Sequence, residues 1–478
     1  AGNPPWVNWE SLPEEYRDDT KRLWEQYGLF TLSGWRARMG GGKKDISMLM
    51  FYVSADKYLK EHGRIGFVIT QTIFKSEGAG DGFRRFVLGE AGPPLRVFWV
   101  DDMSAIKPFE GASNRSAVVL AEKGSPTKYP VSVGYWRKRR KGSALPESAE
   151  LSQVTEQLCR MSQWTAEPID EKSLSSPWIA GRPKSVRAVK RIIGPSKHRA
   201  RAGTCTWLNG AYWVEVVATR SDNVVVVSNC GSVGKKKQKS VERAVERDSV
   251  FSLLRGQDVK RWKAHPSLNI VMAQCTEADG SQAISEEDLK RTMPLTYRYF
   301  SAFEGELRSR SGYLKYLQVQ PFYAIYNCGK HAFSPWKVVW REVANGMDAA
   351  VVRPGDDGRL AVPDHTLVFI PVESEVEAYM LSALLNSAPS RFIVQAYVSL
   401  HPSPHVMRYI PLPEWDAGNE VHMELSEAGK QAHEAARTDD MRMVAAMEEK
   451  ADYLAARLWG LTRAELKDIQ DSLHDLNG

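Results

Sequence analysis

Asn3-Pro4-Pro5-Trp6 is the stretch of this chain whose residue types and spacing best fit a chemical task. Two consecutive prolines fix an extended turn, so the Pro4 carbonyl is held in place, and Pro5 brings no N–H of its own. Asn3 adds a side-chain carbonyl. Together these offer two acceptors to the two hydrogens of an exocyclic amino group, and Trp6 offers a flat face on which an extruded base can stack. An aromatic amine is a weak nucleophile because its lone pair is delocalised into the ring. Two fixed acceptors favour a pyramidal nitrogen and turn that pair toward a methyl donor. No strong base is needed, since the methylated cation sheds its proton readily. The same four residues also read as a simple turn.

A second kind of chemistry is electrostatic. The chain of 478 residues carries a net charge of +6, but residues 181–263 hold 19 Lys+Arg against 6 Asp+Glu, a net of +13. From Pro413 to Gly478 the balance reverses, with 7 basic and 15 acidic residues. Lys184, Arg187, Lys190, Arg191, Lys197, Arg199 and Arg201 form one basic cluster and Lys235, Lys236, Lys237 and Lys239 a second. Arg255, Lys260 and Arg261 follow within Leu254–Trp262. Such groups neutralise phosphates and release counterions, which makes double-stranded DNA the expected partner; a solvated basic face is the alternative. Trp207, Tyr212, Trp213 and Trp262, interleaved nearby, read as core rather than as stacking platforms.

Other chemistries find little support. Five scattered cysteines give neither a disulfide framework nor a CxxC zinc module, and suit a reducing cytoplasm. His401 and His405 have helical spacing, but Pro402 and Pro404 deny them a helix, so no zinc site is expected. There is no Gly-x-Ser-x-Gly elbow, Walker loop or nuclease signature, no basic-then-apolar leader, and no apolar run long enough to span a bilayer.

The elements that must position these residues follow from periodicity. Asp45 to Lys60 has helical spacing and stops near Gly63; Arg64 to Thr70 (RIGFVIT) reads as a strand buried on both faces. A helix is expected to start at Phe83 to Leu88, with strands at Leu95 to Val100 and Ser116 to Ala121. This rhythm predicts an α/β layer with a mostly parallel sheet. Arg137 to Pro146 is charged and turn-rich and marks a boundary. Short strands such as Ala211 to Ala218 and Asn223 to Ser228 follow. Asn419 to Leu476 is helical, with a capping box at Thr462–Glu465 opening the last helix. Three regions result: 1–140, 155–412 (mixed α+β) and a helical 413–478.

These residues together resemble the amino-group DNA methyltransferases of restriction–modification and phage-defence systems, in the order where the target-recognition domain follows the catalytic one. Asn3-Pro4-Pro5-Trp6 matches the family's catalytic motif, and Arg64 to Phe74 (RIGFVITQTIF) resembles its later core strand and following loop. Lys107 to Lys123 (KPFEGASNRSAVVLAEK) resembles the motif whose aromatic packs against the flipped base, by position Phe109. Ala202 to Val214 and Leu254 to Trp262 resemble the recognition region, except that the family usually has glycine where Trp207 stands. The resemblance implies a Rossmann-like methyltransferase sheet, S-adenosylmethionine as methyl donor, and adenine N6 rather than cytosine N4 as target. It implies that Asn3 and Pro4 orient the amine while Trp6 and Phe109 sandwich the base.

The family's cofactor half, with its Phe-x-Gly-x-Gly turn, normally precedes the Pro-Pro motif, and only two residues precede Asn3 here. Gly78-Ala79-Gly80-Asp81-Gly82 is the one glycine-rich candidate downstream, and it lacks the third glycine because Phe83 stands there. The expectation is therefore the motif-bearing and recognition portion of an adenine methyltransferase. Its S-adenosylmethionine site would lie largely on a missing N-terminal half or a second polypeptide, without which residues 1–135 should be poorly ordered. Two alternatives remain: a DNA-recognition subunit without chemistry of its own, and an RNA methyltransferase using the same acceptors.

Overall fold

The computed structural model describes residues 1–30, 45–76, 79–106, 108–109, 114–140, 148–221, 223–344, 346–397 and 402–477. The chain divides into two compact units. The first comprises residues 1–192, 392–399 and 461–478; the second comprises 193–391 and 400–460. The helical C-terminal stretch is thus shared: its last helix belongs to the first unit, and the helices Glu420–Arg437 and Met441–Leu458 belong to the second.

The first unit is built on six strands: β1 (Arg64–Thr70), β2 (Leu95–Asp102), β3 (Ser116–Lys123), β4 (Val131–Lys138), β5 (Leu158–Pro168) and β6 (Trp178–Gly181). Their order is β1-β3-β2-β4-β5-β6. Only β2 and β4 pair in parallel; β3 lies antiparallel between β1 and β2, and β5 runs antiparallel to both β4 and β6. This corrects the expectation of a mostly parallel sheet. After residues 103–115 the chain comes back as β3 directly beside β2 and antiparallel to it. Gly2 adds a parallel bridge to Phe67 on the other side of β1, with Gly2 N–H donating to Gly66 O and Val68 N–H to Gly2 O, both at 2.9 Å.

Helix α1 (Glu14–Gln26) and helix α2 (Ile46–Tyr58) flank this end of the sheet. Asp45 starts α2 by accepting from Ser47 N–H at 2.9 Å, as its spacing predicted, and the helix is over before Gly63. Gly66, Phe67 and Val68 are only half-buried, so β1 is not covered on both faces as expected. The helix expected to start at Phe83–Leu88 is instead a five-residue helix, Ala79–Phe83, that ends there. Phe86 takes a positive φ of 49° and Leu95 N–H bonds Phe86 O, which turns the backbone into β2. Arg84 is fully buried there and donates to the carbonyls of Ile73, Ser76 and Ser175 and to Asp81. A Cβ on Gly80 would meet this guanidinium at 2.4 Å, so Gly80 serves close packing. Gly78 lies outside the described residues. Aromatic pairs fill the core, including Phe74 on Trp178 (4.8 Å) and Tyr135 on Trp164 (4.3 Å, interplanar angle 4°). Helix α3 (Pro183–Ile192) holds the last helix, Arg463–Asn477, through the Ser185–Ser472 hydrogen bond and the ion pair Arg191–Glu465; Arg182 just before it pairs with Asp475. The capping box at Thr462 and Glu465 forms as its sequence predicted.

The second unit is mixed α/β. Its larger sheet has the order β10-β9-β8-β14-β11-β17 and its smaller one β16-β15-β18-β7. In chain order these strands are β7 (Arg201–Ala202), β8 (Trp213–Ser221), β9 (Val224–Asn229), β10 (Glu242–Glu246), β11 (Val250–Leu254), β12 (Val259–Lys260), β13 (Lys263–Ala264), β14 (Leu268–Val271), β15 (Trp336–Arg341), β16 (Ala350–Val352), β17 (Ala361–Pro363) and β18 (Leu367–Val372). β12 and β13 form a separate hairpin. Val225, Val227, Val245, Leu253 and Ile270 supply the sheet's share of a core completed by Tyr299, Phe300, Phe303 and Tyr323. Trp207 has φ 54°, the left-handed conformation that favours glycine, and its indole lies so close over Gly312 that a Cβ there would meet the ring at 2.1 Å. Tyr212, Trp213 and Trp262 are buried, as expected of core aromatics.

Candidate active site and nucleic-acid interface

The Gly2–Phe67 bridge delivers Asn3 at the end of an extended segment running parallel to β1. Pro4 is buried while Asn3 and Pro5 are exposed. Trp6 anchors the turn by donating its Nε1–H to the carbonyl of Val68 at 3.3 Å. The structure brings Phe109 to the same place: its ring meets Trp6 at 5.2 Å between centroids and 77° between planes. That edge-to-face contact leaves no parallel slot between the two rings for a base, so a sandwich requires Phe109 to move away from Trp6. Lys107 and residues 110–113 of the surrounding motif lie outside the described residues.

A cavity of about 480 Å³ adjoins the motif, lined by Gly2, Asn3, Pro4 and Phe67, by Tyr16, Thr20 and Leu23 of α1, and by Ile46, Leu49, Met50, Val53 and Ser54 of α2. The contribution of α1 was not foreseen from the sequence, although Tyr16, Thr20 and Leu23 fall at i, i+4 and i+7 and so share a helical face. Asn3, Tyr16, Thr20 and Ser54 supply the polar side chains of this lining. Among the described residues the lining has no carboxylate for a ribose diol and no glycine turn for an amino-acid head group. The described lining residues do not by themselves fit S-adenosylmethionine.

A polar group of side chains lies where β1 and β2 end. Gln71 and Asp102 are buried, and burial pushes the Lys75 ammonium down to about 8, with Asp102 opposing that fall and Arg115 adding to it. Lys75 Nζ donates to Gln395 O at 3.3 Å. No three His, Cys, Asp or Glu side chains among the described residues are grouped to hold a metal; His401 lies outside them. No helix among the described residues is long and apolar enough to cross a membrane.

The basic residues divide between the two units and differ in how they are used. In the first unit, Lys184 and Arg187 are exposed on α3. Lys190 pairs with Glu167 (3.1 Å) and Glu171 (3.0 Å), and Arg191 with Glu465 (2.6 Å), so both charges are matched within the chain. In the second unit, Lys197 and Arg199 are exposed and Arg201 is half-buried, its guanidinium lowered by burial and by Arg199. Lys235, Lys236, Lys237 and Lys239 are exposed on the loop between β9 and β10. Asn229 fixes that loop, donating to Gly210 O (2.7 Å) and Lys239 O (3.0 Å) and accepting from Val241 N–H (2.6 Å). Lys260 is exposed. Arg255 pairs with Asp258 (3.2 Å), and Arg261 with Glu448 (3.0 Å), which also accepts from Trp262 Nε1.

No protein-family model matches the chain, and no curated protein matches it. Solved structures do. The type IIL restriction–modification enzyme MmeI in complex with DNA matches at TM-score 0.51 and 11% identity, over 100% of this chain and 56% of that one. The DrdV–DNA complex matches at 0.39 and 10%, over 91% and 44%. A nuclease-deletion mutant of the type ISP enzyme LlaGI, with a DNA substrate mimic, matches at 0.39 and 11%, over 91% and 41%. The chain therefore spans little more than half of MmeI, and over that half it shares the MmeI fold.

Proposed function

We propose that this chain is the amine-holding and DNA-recognition portion of a site-specific DNA methyltransferase acting on adenine N6. The observation that carries the reading is the convergence of Asn3-Pro4-Pro5-Trp6, set by its parallel bridge to β1, with Phe109 from a distant part of the chain. The fold shared with MmeI supports it. Asn3 Oδ1 and the Pro4 carbonyl accept the two amino hydrogens and hold the nitrogen pyramidal. The buried Pro4 ring and the Trp6–Val68 hydrogen bond keep those acceptors fixed, so little reorganisation is needed when charge develops on nitrogen. Trp6 gives the extruded base a stacking face, and Phe109 covers it after yielding its edge contact. Exposed lysines of the β9–β10 loop and Lys197 and Arg199 take the phosphates. S-adenosylmethionine, when bound, supplies the electrophilic methyl group. Its binding residues lie mostly outside this chain, on an N-terminal half or a second polypeptide, with the cavity beside Asn3 as the wall that meets them.

The test is methyl transfer to duplex DNA by the protein containing both portions. Asn3→Ala is expected to reduce transfer about a hundredfold or more while DNA affinity changes less than twofold. Unchanged transfer would mean that the chain is a recognition module only. Preferential modification of structured RNA in competition would reassign the substrate.

A further inference from the structure

Phe109 sits on the excursion between β2 and β3, and both ends of that excursion are tied to one residue. Gln71 N–H donates to Arg115 O at 2.8 Å, where the excursion re-enters β3. The Gln71 side-chain Nε2 donates to Asp102 Oδ2 at 3.0 Å, where it leaves β2. Asp102 Oδ1 in turn accepts from Ser104 N–H at 2.9 Å and so sets the first turn of the departing chain, while Met103 N–H donates to Ser116 O at 3.1 Å. Gln71 and Asp102 are 3% and 7% exposed, whereas Phe109 is 37% exposed. The ring is thus exposed to solvent, with its contact on Trp6, on a stretch whose two ends are held in the interior. An amide-to-carboxylate hydrogen bond sheltered from water is among the stronger polar contacts available, and removing one partner leaves the other buried and unsatisfied.

We propose that Gln71 and Asp102 form a clasp that positions Phe109 against Trp6, making both of them positioning residues for the target base. This rests on the methyltransferase reading for its purpose but not for its geometry, and the two are tested separately. Geometry is read by 19F NMR on the full chain with 4-fluorophenylalanine at position 109, whose resonance is displaced by the Trp6 ring current; Trp6→Leu gives the undisplaced value. The near-isosteric Gln71→Met should move the resonance at least halfway to that value, and Asp102→Ala should do the same. Asp102→Asn should keep it, because Gln71 Oε1 makes no hydrogen bond and the amide can turn over to accept from the new Asn. A resonance indifferent to Gln71→Met, in a chain that still melts cooperatively at an unchanged temperature, would overturn the clasp. Should Gln71→Met not fold, Asp102→Asn against Asp102→Ala carries the same comparison. Purpose is read by methyl transfer: Gln71→Met and Phe109→Ala should each lower kcat by roughly tenfold to a hundredfold, and the double variant no further than Phe109→Ala alone. A resonance that follows the clasp while transfer stays unchanged would leave the geometry standing and remove its role at the target base.

Discussion

Trp6 donates its indole N–H to the carbonyl of Val68, 62 residues further along the chain, and the two residues thereby fix the Pro-Pro turn to the edge of β1. The hydrogen bond and the ring contact with Phe109 use different parts of the same side chain. Trp6→Phe keeps a ring and removes the donor; Trp6→Leu removes both. We expect Trp6→Phe to cost about 1 kcal/mol in urea melts, and Trp6→Leu about 2 to 3. Methyl transfer should fall further for Trp6→Leu than for Trp6→Phe, since only the former loses the stacking face. Equal losses for the two would show that the ring does not meet the base.

Trp207 and Gly312 make a second interlocked pair. The indole covers Gly312 so closely that any side chain there must displace it, while the Trp207 backbone holds a left-handed φ that costs about 1 kcal/mol for a residue other than glycine. Gly312→Ala should destabilise the chain by about 1 to 3 kcal/mol through overpacking. Trp207→Gly relieves the backbone but loses the ring, which otherwise contacts Tyr316 and Tyr326. In the double variant, Gly312→Ala should cost little beyond Trp207→Gly. Additive losses in a thermodynamic cycle would show that the clash lies elsewhere.

The resemblance had marked position 207 by residue type alone, and the backbone there has the conformation that glycine favours. Features set by local pattern were similarly legible: the helix that begins after Asp45, the short strands at β8 and β9, and the Thr462–Glu465 box. Strand order was not. Nothing in SAVVLA says that β3 inserts antiparallel between β1 and β2, because a short buried strand looks the same in either direction. The buried polar side chains were also hidden. Gln71, Arg84 and Asp102 are polar residues whose partners lie many positions away, so no periodicity announces them. Their sequence signal is only that each interrupts or ends an apolar run. The basic residues were legible as charge but not as free charge, since Lys190, Arg191 and Arg261 find carboxylates that the sequence places far off or on another element.

His433 offers a pH test of the second unit. Its Nε2 accepts from Val351 N–H at 2.8 Å and its Nδ1 donates to Gly429 O at 2.7 Å, with Trp262 and Tyr379 packed on its ring. The neutral ring is thus the folded form, and burial pushes its pKa down to about 4. The unfolded chain takes up this proton near the ordinary value of 6.5, so between about 6.5 and 4 it binds more protons than the folded chain, and stability falls as pH falls through that window. Above 6.5 the contribution is fully present. The loss amounts to about 3 kcal/mol. His433→Gln should be less stable than the parent at pH 7.5 and should narrow that difference by pH 4.5 in parallel denaturant melts. A constant difference would place the titration elsewhere.

The division between matched and free cations predicts the salt dependence of DNA binding. Lys235, Lys236 and Lys237 project from a loop whose backbone is held by Asn229, without a carboxylate partner among the ion pairs of the described residues. Each phosphate neutralised adds about 0.9 to the slope of log Kobs against log salt, so the triple change to alanine should make that slope shallower by about 3. Lys190 and Arg191 already have their charges satisfied by Glu167, Glu171 and Glu465. Releasing them to phosphate would leave carboxylates unpaired beside the DNA, so Lys190→Ala and Arg191→Ala should leave the slope unchanged within about 0.5. A fluorescence-anisotropy titration of one duplex between 50 and about 200 mM salt separates the two cases. If the paired residues carried the slope and the loop lysines did not, the loop would be a solvated surface and the DNA would lie against α3.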